Sequence, residues 1–221
     1  VPGSVAGAIE VHKKFGNLPL SKILAPAIAL AERGVVVTKK QEKKIAPYLE
    51  DFIKVNGEHS KFSIPYKAGD TIKYKALANT LKSISKYGRD GFYKGKIANK
   101  LASFIQKNGG LITKEDLENY NVKWRQPVIF EYKDLKIISM SPPSSGGITM
   151  HQIFKMIEPY DIKEFGYNTT KTIQLFTEVS RRAYADRNYF LGDPDFAIIP
   201  LDILINDDYL EKRMQDFSFE K

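Results

Sequence analysis

Apolar residues recur at helical spacing through most of the chain and at strand spacing in one short stretch. From Val5 to Phe15 the small residues Ala6, Gly7 and Ala8 suit a closely packed helix, with Gly16 as the glycine past its end. Leu20 to Arg33 carries Ile23, Leu24, Ala27, Ile28, Leu30 and Ala31 on a broad apolar face, ends at Gly34, and is expected to kink or begin at Pro26. Ala76 to Tyr87 places Leu77, Leu81 and Ile84 on one side. Ile97, Leu101, Phe104 and Ile105 repeat the pattern before Asn108-Gly109-Gly110. Thr113 and Asp116 have the spacing of a capping box. The segment from Asn56 to Asp70, with Gly57, His59, Pro65 and Gly69, reads as the softest loop.

The period then changes. Val122, Trp124, Val128, Phe130 and Tyr132 alternate with polar residues, and Lys133-Asp134 turns into the run Leu135 to Met140, a β-hairpin pattern weakened at its start by Pro127. After it the chain returns to helix, the longest running from Thr169 to about Phe190 with Ile173, Phe176, Ser180, Ala183 and Arg187 on one face. The expected organisation is a single partial domain over 1–221. It is mainly helical over 1–120, hairpin and corner over 121–147, and helical over 148–221. Two strands cannot bury both faces of a hairpin by themselves, so these are expected to join a larger sheet.

Between hairpin and helix stands Ser141-Pro142-Pro143-Ser144-Ser145-Gly146-Gly147. The prolines end the strand because they cannot donate to a ladder, Ser144 or Ser145 can cap the next helix, and Gly146 and Gly147 permit a tight turn and close neighbours. By itself this is an architectural corner.

Composition narrows the possibilities. The 43% apolar and 12% aromatic content fits a globular protein. The net charge of +8 comes from scattered lysines, with only short runs such as Lys39-Lys40 and Lys43-Lys44, so no nucleic-acid partner is expected. Absence of cysteine removes disulfides, thiolate metal sites and a cysteine nucleophile. No run is long enough to span a bilayer, and Val1 opens no signal peptide. Val1-Pro2-Gly3 reads as the interior of a longer protein, so a processed fragment is expected.

No complete catalytic set is visible. His151, the base nearest the two serines, lies six or seven residues along the helix, roughly 9–10 Å in axial rise. It reads as a surface or interface histidine, and His12 and His59 as exposed ones. Asp186, Asp193 and Asp195 fit no calcium loop because Pro194 interrupts them and no bidentate Glu follows. Asp186-Arg187 reads as an ion pair at a helix end, and Gly192-Asp193-Pro194-Asp195 as a turn. The glycine pairs 109–110 and 146–147 lack a phosphate-loop ending. No metal or cofactor is expected.

Taken together, Pro2 to Gly7, Gly91-Phe92-Tyr93-Lys94-Gly95, Asn108 to Leu117 with Tyr120, Pro142 to Gly147, Tyr184-Ala185-Asp186-Arg187 and Leu191 to Phe196 closely resemble, in order and spacing, the large subunit of bacterial γ-glutamyltransferases (γ-glutamyl transpeptidases). The resemblance covers essentially the whole chain. It implies an α+β fold of the N-terminal-nucleophile hydrolase type, an αββα sandwich shared with a small subunit cut from the same precursor. It further implies cleavage of the γ-glutamyl amide of glutathione through a threonine acyl-enzyme, with transfer to water, amino acids or peptides. That threonine would begin the small subunit beyond Lys221, and the arginine that clamps the substrate carboxylate would precede Val1. No catalytic or substrate-binding residue is therefore assigned here. Pro142, Pro143, Ser144, Ser145, Gly146, Gly147, Asp186, Arg187, Gly192, Asp193, Pro194 and Asp195 are read as a structural signature. Implied partners are the small subunit and a γ-glutamyl substrate, and the implied location is periplasmic or secreted. A related acylase (cephalosporin acylase or a poly-γ-glutamate-processing enzyme) and a non-catalytic scaffold are the rival readings.

Overall fold

The computed structural model describes residues 1–220, which form two compact units, Val1–Lys123 and a second from Trp124 onward. The architecture is α+β, dominated by helices with two small antiparallel sheets.

The first unit runs α1 (Ser4–Phe15), α2 (Leu20–Arg33), β1 (Val35–Val36), α3 (Lys39–Ile45), α4 (Leu49–Asn56), β2 (Thr71–Ile72), α5 (Lys75–Tyr87), α6 (Asp90–Tyr93), α7 (Gly95–Lys107) and α8 (Lys114–Asn119). β1 and β2 pair with Val35 opposite Ile72 and Val36 opposite Thr71, bringing α2 against α5. The expected capping box is present. Thr113 Oγ1 accepts the Asp116 N–H at 3.1 Å, and the Asp116 carboxylate accepts the Thr113 N–H at 2.8 Å. The backbone bond from Thr113 holds the Asp116 carboxyl below the usual range.

The core of this unit gathers Ala6, Ala98, Ala102 and Leu117 around Tyr93, which is 0% exposed. The Tyr93 hydroxyl donates to the Pro2 carbonyl (2.6 Å) and accepts the Ala6 N–H (3.1 Å). Its ring stacks on Tyr120 at 5.9 Å. Burial pushes this phenol above its ordinary pKa. Arg89 Nη2 donates to the carbonyls of Glu118 (2.8 Å) and Tyr120 (2.5 Å), closing the end of α8.

Three local expectations change here. Gly16 has φ −77°, so α1 ends by running into extended chain rather than through a left-handed glycine. Pro26 lies inside α2 on its exposed side, and the helix continues through it. On α5 and α7 the buried positions include Ala78, Ala98 and Ala102, whereas Leu77 and Phe104 face outward. These helices turn small residues inward, α5 packing on α2 and α6, and α7 on α6 and α8. In the mostly exposed loop after α4, Ser63 is buried and its Oγ donates to the Gly57 carbonyl at 2.7 Å.

The second unit runs β3 (Val128–Tyr132), β4 (Leu135–Ser139), α9 (Gly146–Ile157), α10 (Ile162–Phe165), α11 (Thr170–Phe190), α12 (Leu201–Leu204) and α13 (Asp207–Met214). The hairpin pairs Val128 with Ser139 and Tyr132 with Leu135, as the alternation from Val128 and the two-residue turn predicted, but strand geometry begins only after Pro127, so Val122 and Trp124 lie outside the strand. α9 covers one hairpin face, burying Phe130, while Ile129 and Ile138 remain exposed on the other. Met156, Ile157, Leu175, Val179, Ala183 and Leu210 form the core between α9, α11 and α13. Tyr160, Phe165, Phe217 and Phe219 pack beside it edge to face.

α11 is turned relative to its predicted face. Its buried positions are Thr172, Leu175, Val179, Arg182, Ala183 and Asp186; of the predicted set only Ala183 is buried. The reason is chemical: Arg182 and Asp186 are satisfied inside the core, so polarity there does not mark the outside. No described helix is long and apolar enough to cross a membrane.

Candidate functional site

The corner between β4 and α9 is built by short-range bonds. The Pro142-Pro143 peptide is cis. Ser144 N–H donates to the Ser141 carbonyl (3.2 Å), and Gly147 N–H reaches back to the Met140 carbonyl (3.2 Å). Ser145 stands at the N-cap position of α9, but its backbone is already helical and its hydroxyl caps nothing. The Gly146 N–H is taken at 3.4 Å by Ser144 Oγ. Gly147 is buried where α9 crosses the hairpin, and a Cβ there would collide with the Met140 carbonyl oxygen and come within 2.9 Å of Val128 Cβ. Only glycine lets the helix start this close to the strands.

The Ser145 hydroxyl has a different partner. Arg187 Nε, near the end of α11, donates to Ser145 Oγ at 3.0 Å, and Arg187 Nη1 donates to Asn188 Oδ1 at 2.8 Å. The start of α9 is thus tied to the last turn of α11. The expected Asp186-Arg187 pair does not form, because successive helix residues point to different faces. Asp186 turns inward instead and is 6% exposed. Its Oδ2 accepts from Gln152 Nε2 (3.1 Å) and from the Tyr209 hydroxyl (2.9 Å), and its Oδ1 pairs with Arg213 Nη2 (2.9 Å). Gln152 also donates to the Leu204 carbonyl at 3.0 Å. One carboxylate therefore ties α9, α11 and α13 together. Burial, followed by the bond to Asp186, raises the Tyr209 pKa.

Arg182, one turn before Asp186, makes a second inward lock. Its Nε donates to the Arg213 carbonyl (2.6 Å), its Nη2 to Asp216 Oδ1 (2.6 Å) and its Nη1 to Glu178. Arg213 Nη2 returns a bond to the Arg182 carbonyl at 3.1 Å. The Arg181 and Arg182 guanidiniums hold the Glu178 carboxyl below its usual pKa.

The turn after α11 is clamped as well. Arg125 Nη2 lies 3.5 Å from Asp193 Oδ1 and 3.0 Å from Asp195 Oδ2. Asp193 Oδ1 also accepts the Asp195 N–H at 3.0 Å across Pro194. These carboxylates serve a guanidinium, and among the described residues no group of three or more His, Asp or Glu side chains is placed to hold a metal.

His151 is corrected by the structure: it is buried rather than a surface group. Only 7% exposed, its ring stacks on Phe130 at 4.6 Å with the planes 8° apart. Its Nδ1 has no hydrogen-bond partner among the described residues, and burial, reinforced by the Lys155 ammonium, lowers its pKa. Neither Ser144 nor Ser145 is bonded to a histidine among the described residues. His12 is half-buried, its Nε2 2.8 Å from the Leu18 carbonyl, and His59 is exposed.

The corner and the Asp186-Arg187 pair were legible as features; their partners were not. Gln152 was the one available signal, an uncharged polar residue amid the apolar run of α9. Arg125, Tyr209 and Arg213 stand in no motif that announces them.

The profile of the Gamma-glutamyltranspeptidase family matches residues 1–221. The chain is 39% identical over 225 residues to the glutathione hydrolase proenzyme of Escherichia coli (strain K12), covering 100% of this chain and 39% of that protein. It is 36% identical over 224 residues to the Acylase ACY 1 proenzyme of Pseudomonas sp. (strain SE83), covering 100% of this chain and 40% of that protein. The crystal structure of Helicobacter pylori gamma-glutamyltranspeptidase aligns with a TM-score of 0.92 at 43% identity, over 99% of this chain and 64% of that one. The chain spans about two fifths of the length of the curated relatives it matches. With the family profile, the relatives and the solved fold all agreeing over its full length, this chain belongs to the gamma-glutamyltranspeptidase family.

Proposed function

We propose that the chain is the C-terminal part of the large subunit of a γ-glutamyltransferase, its two compact units together forming one partial domain. The observation that carries this reading is the family match over residues 1–221. In the proposed enzyme a threonine at the start of the small subunit attacks the γ-amide of glutathione or a related compound, its own amine acting as base. Water, an amino acid or a peptide then takes the γ-glutamyl group. This chain contributes no catalytic residue. Ser144 and Ser145 are engaged by a backbone N–H and by Arg187, and their geometry suits holding α9 in place. The partners are the small subunit and a γ-glutamyl substrate, and the enzyme works in the periplasm or outside the cell.

The test is release of p-nitroaniline from γ-glutamyl-p-nitroanilide by the complete precursor, read beside intact mass. The expected result is two polypeptides, the smaller beginning with threonine, together with release; residues 1–221 alone release nothing. Release by the isolated chain would refute the assignment of catalysis to the other subunit. The second reading, an acylase of the same superfamily, is favoured by the 36% identity to the ACY 1 proenzyme. Preference of the complete protein for a cephalosporin side-chain amide over the γ-glutamyl anilide would select it.

A further inference from the structure

Helix α9 seats the hairpin through two ring contacts. Phe130 stacks on His151 at 4.6 Å with the planes 8° apart, and Tyr132 meets Phe154 at 4.9 Å. Phe130 is 6% and His151 7% exposed, so the first of these contacts is dry. Imidazole is a consequential choice for such a place, because it is the side chain whose charge ordinarily changes near neutral pH.

The ring has to accommodate its protons without help. Nδ1 is closed off from solvent and has no hydrogen-bond partner among the described residues. Further polypeptide cannot supply one, since the surrounding unit already seals that atom. The ring also borders a cavity of about 500 Å³ shared with Lys155, Asp202, Asn206, Asp207 and Asp208. The neutral ring can keep its single proton on Nε2 and leave only a lone pair unmet at Nδ1. The imidazolium cannot, because it carries a proton on both nitrogens and the one on Nδ1 meets no acceptor. A parallel stack on Phe130 gives the cation some attraction but no acceptor.

The charges around the ring do not repair this. Burial is the largest influence and opposes the charged form, and the Lys155 ammonium one turn along α9 acts the same way. Asp207, at the start of α13, and Glu158, just past α9, act in the opposite direction without outweighing them. Glu158 is itself engaged by Lys155 at 2.9 Å. On the hairpin, Glu131 stands opposite Lys136 and bears on Lys155. On α11, Asp186 is taken by Gln152, Tyr209 and Arg213, while Asp202 on α12 and Asp208 on α13 border the cavity. The folded ring therefore titrates below its ordinary value, and the opened chain binds more protons than the folded one. Stability contributed by the neutral ring is complete above the ordinary imidazole range, about pH 6.5, and is lost as pH falls through that range toward the depressed folded value.

We propose that His151 makes the seat of the hairpin on α9 acid-labile: proton uptake by its ring loosens β3 from the helix, a pH-operated release built into the second unit. Hydrogen exchange of the complete protein tests it, read on the peptide spanning residues 128–139 and corrected for the intrinsic rate at each pH. Between about pH 7.5 and 5.5, protection of that peptide should fall by up to about tenfold, the ceiling set by an ordinary imidazole in the opened chain. His151→Phe, which keeps a ring against Phe130 and cannot take up a proton, should hold its protection constant over the same interval. Constant protection in the wild type, or an equal fall in the variant, overturns the proposal. If His151→Phe does not fold, His151→Gln, uncharged at both pH values, takes its place with the same two outcomes. If neither folds, NMR titration of the wild-type His151 ring decides: a midpoint below that of free imidazole supports the proposal, and one at or above it overturns it.

Discussion

Asp186→Ala is expected to cost about 3–5 kcal/mol, the loss typical of breaking a buried ion pair by removing one partner. The carboxylate serves three donors at once, Gln152 Nε2, the Tyr209 hydroxyl and Arg213 Nη2. Deleting it leaves a guanidinium without its counter-charge in a site where Arg213 Nε already has no partner among the described residues. Against a total stability on the order of 5–15 kcal/mol, that loss unfolds the second unit at moderate denaturant. Trp124, the single tryptophan, begins this unit, and its fluorescence through a urea titration reads the shift in midpoint. Asp186→Asn, which keeps the shape and one acceptor, should lose less. A shift worth under about 1 kcal/mol for Asp186→Ala would show that the network is solvated and that the three helices hold together by apolar packing alone.

The second large effect belongs to the first unit. Tyr93→Ala removes a fully buried aromatic ring, for which the usual cost is about 3–5 kcal/mol. Tyr93→Phe keeps the ring but strands the Pro2 carbonyl and the Ala6 N–H, a loss of about 1–2 kcal/mol. The two variants should differ in where they act. Hydrogen exchange in Tyr93→Phe should speed at Ala6, because its N–H loses its acceptor, while α7 and α8 stay protected. Tyr93→Ala should open α7 and α8 too, since Ala98, Ala102 and Leu117 pack around the missing ring. Equal protection of Ala6 in wild type and Tyr93→Phe would mean that the hydroxyl contributes nothing.

How much of this was legible depended on whether a residue's role is local. The hairpin turn, the Thr113–Asp116 capping box and the bounds of α2 and α11 depend on neighbours in sequence, and they stand where the pattern put them, while the first strand starts at Val128 rather than Val122. Family membership was legible because whole blocks keep their order. The face of α11 was not. Periodicity assigns polar residues outward, and Arg182 and Asp186 reverse that rule by finding partners 34 and 23 residues along the chain in Asp216 and Tyr209. His151 was misplaced for a related reason. Its environment is made by Phe130 on the hairpin, which helical spacing cannot report. Ser145 looked like a cap because serine usually caps, yet its hydroxyl is claimed by Arg187 from the far end of another helix.

The reciprocal bonds between Arg182 and Arg213 bear on how the chain would be digested. A trypsin-like protease needs the arginine side chain free and the carbonyl of the scissile bond turned into its own oxyanion site. At Arg213–Met214 both are spoken for: the guanidinium lies on Asp186 and the carbonyl accepts from Arg182 Nε at 2.6 Å. A short surface helix bearing Lys212 and Arg213 would ordinarily be an easy place to cut. Here the bond after Arg213 should survive limited trypsin digestion until α13 comes away as a unit, and peptide mapping of Asp186→Ala should show that same bond among the first to go.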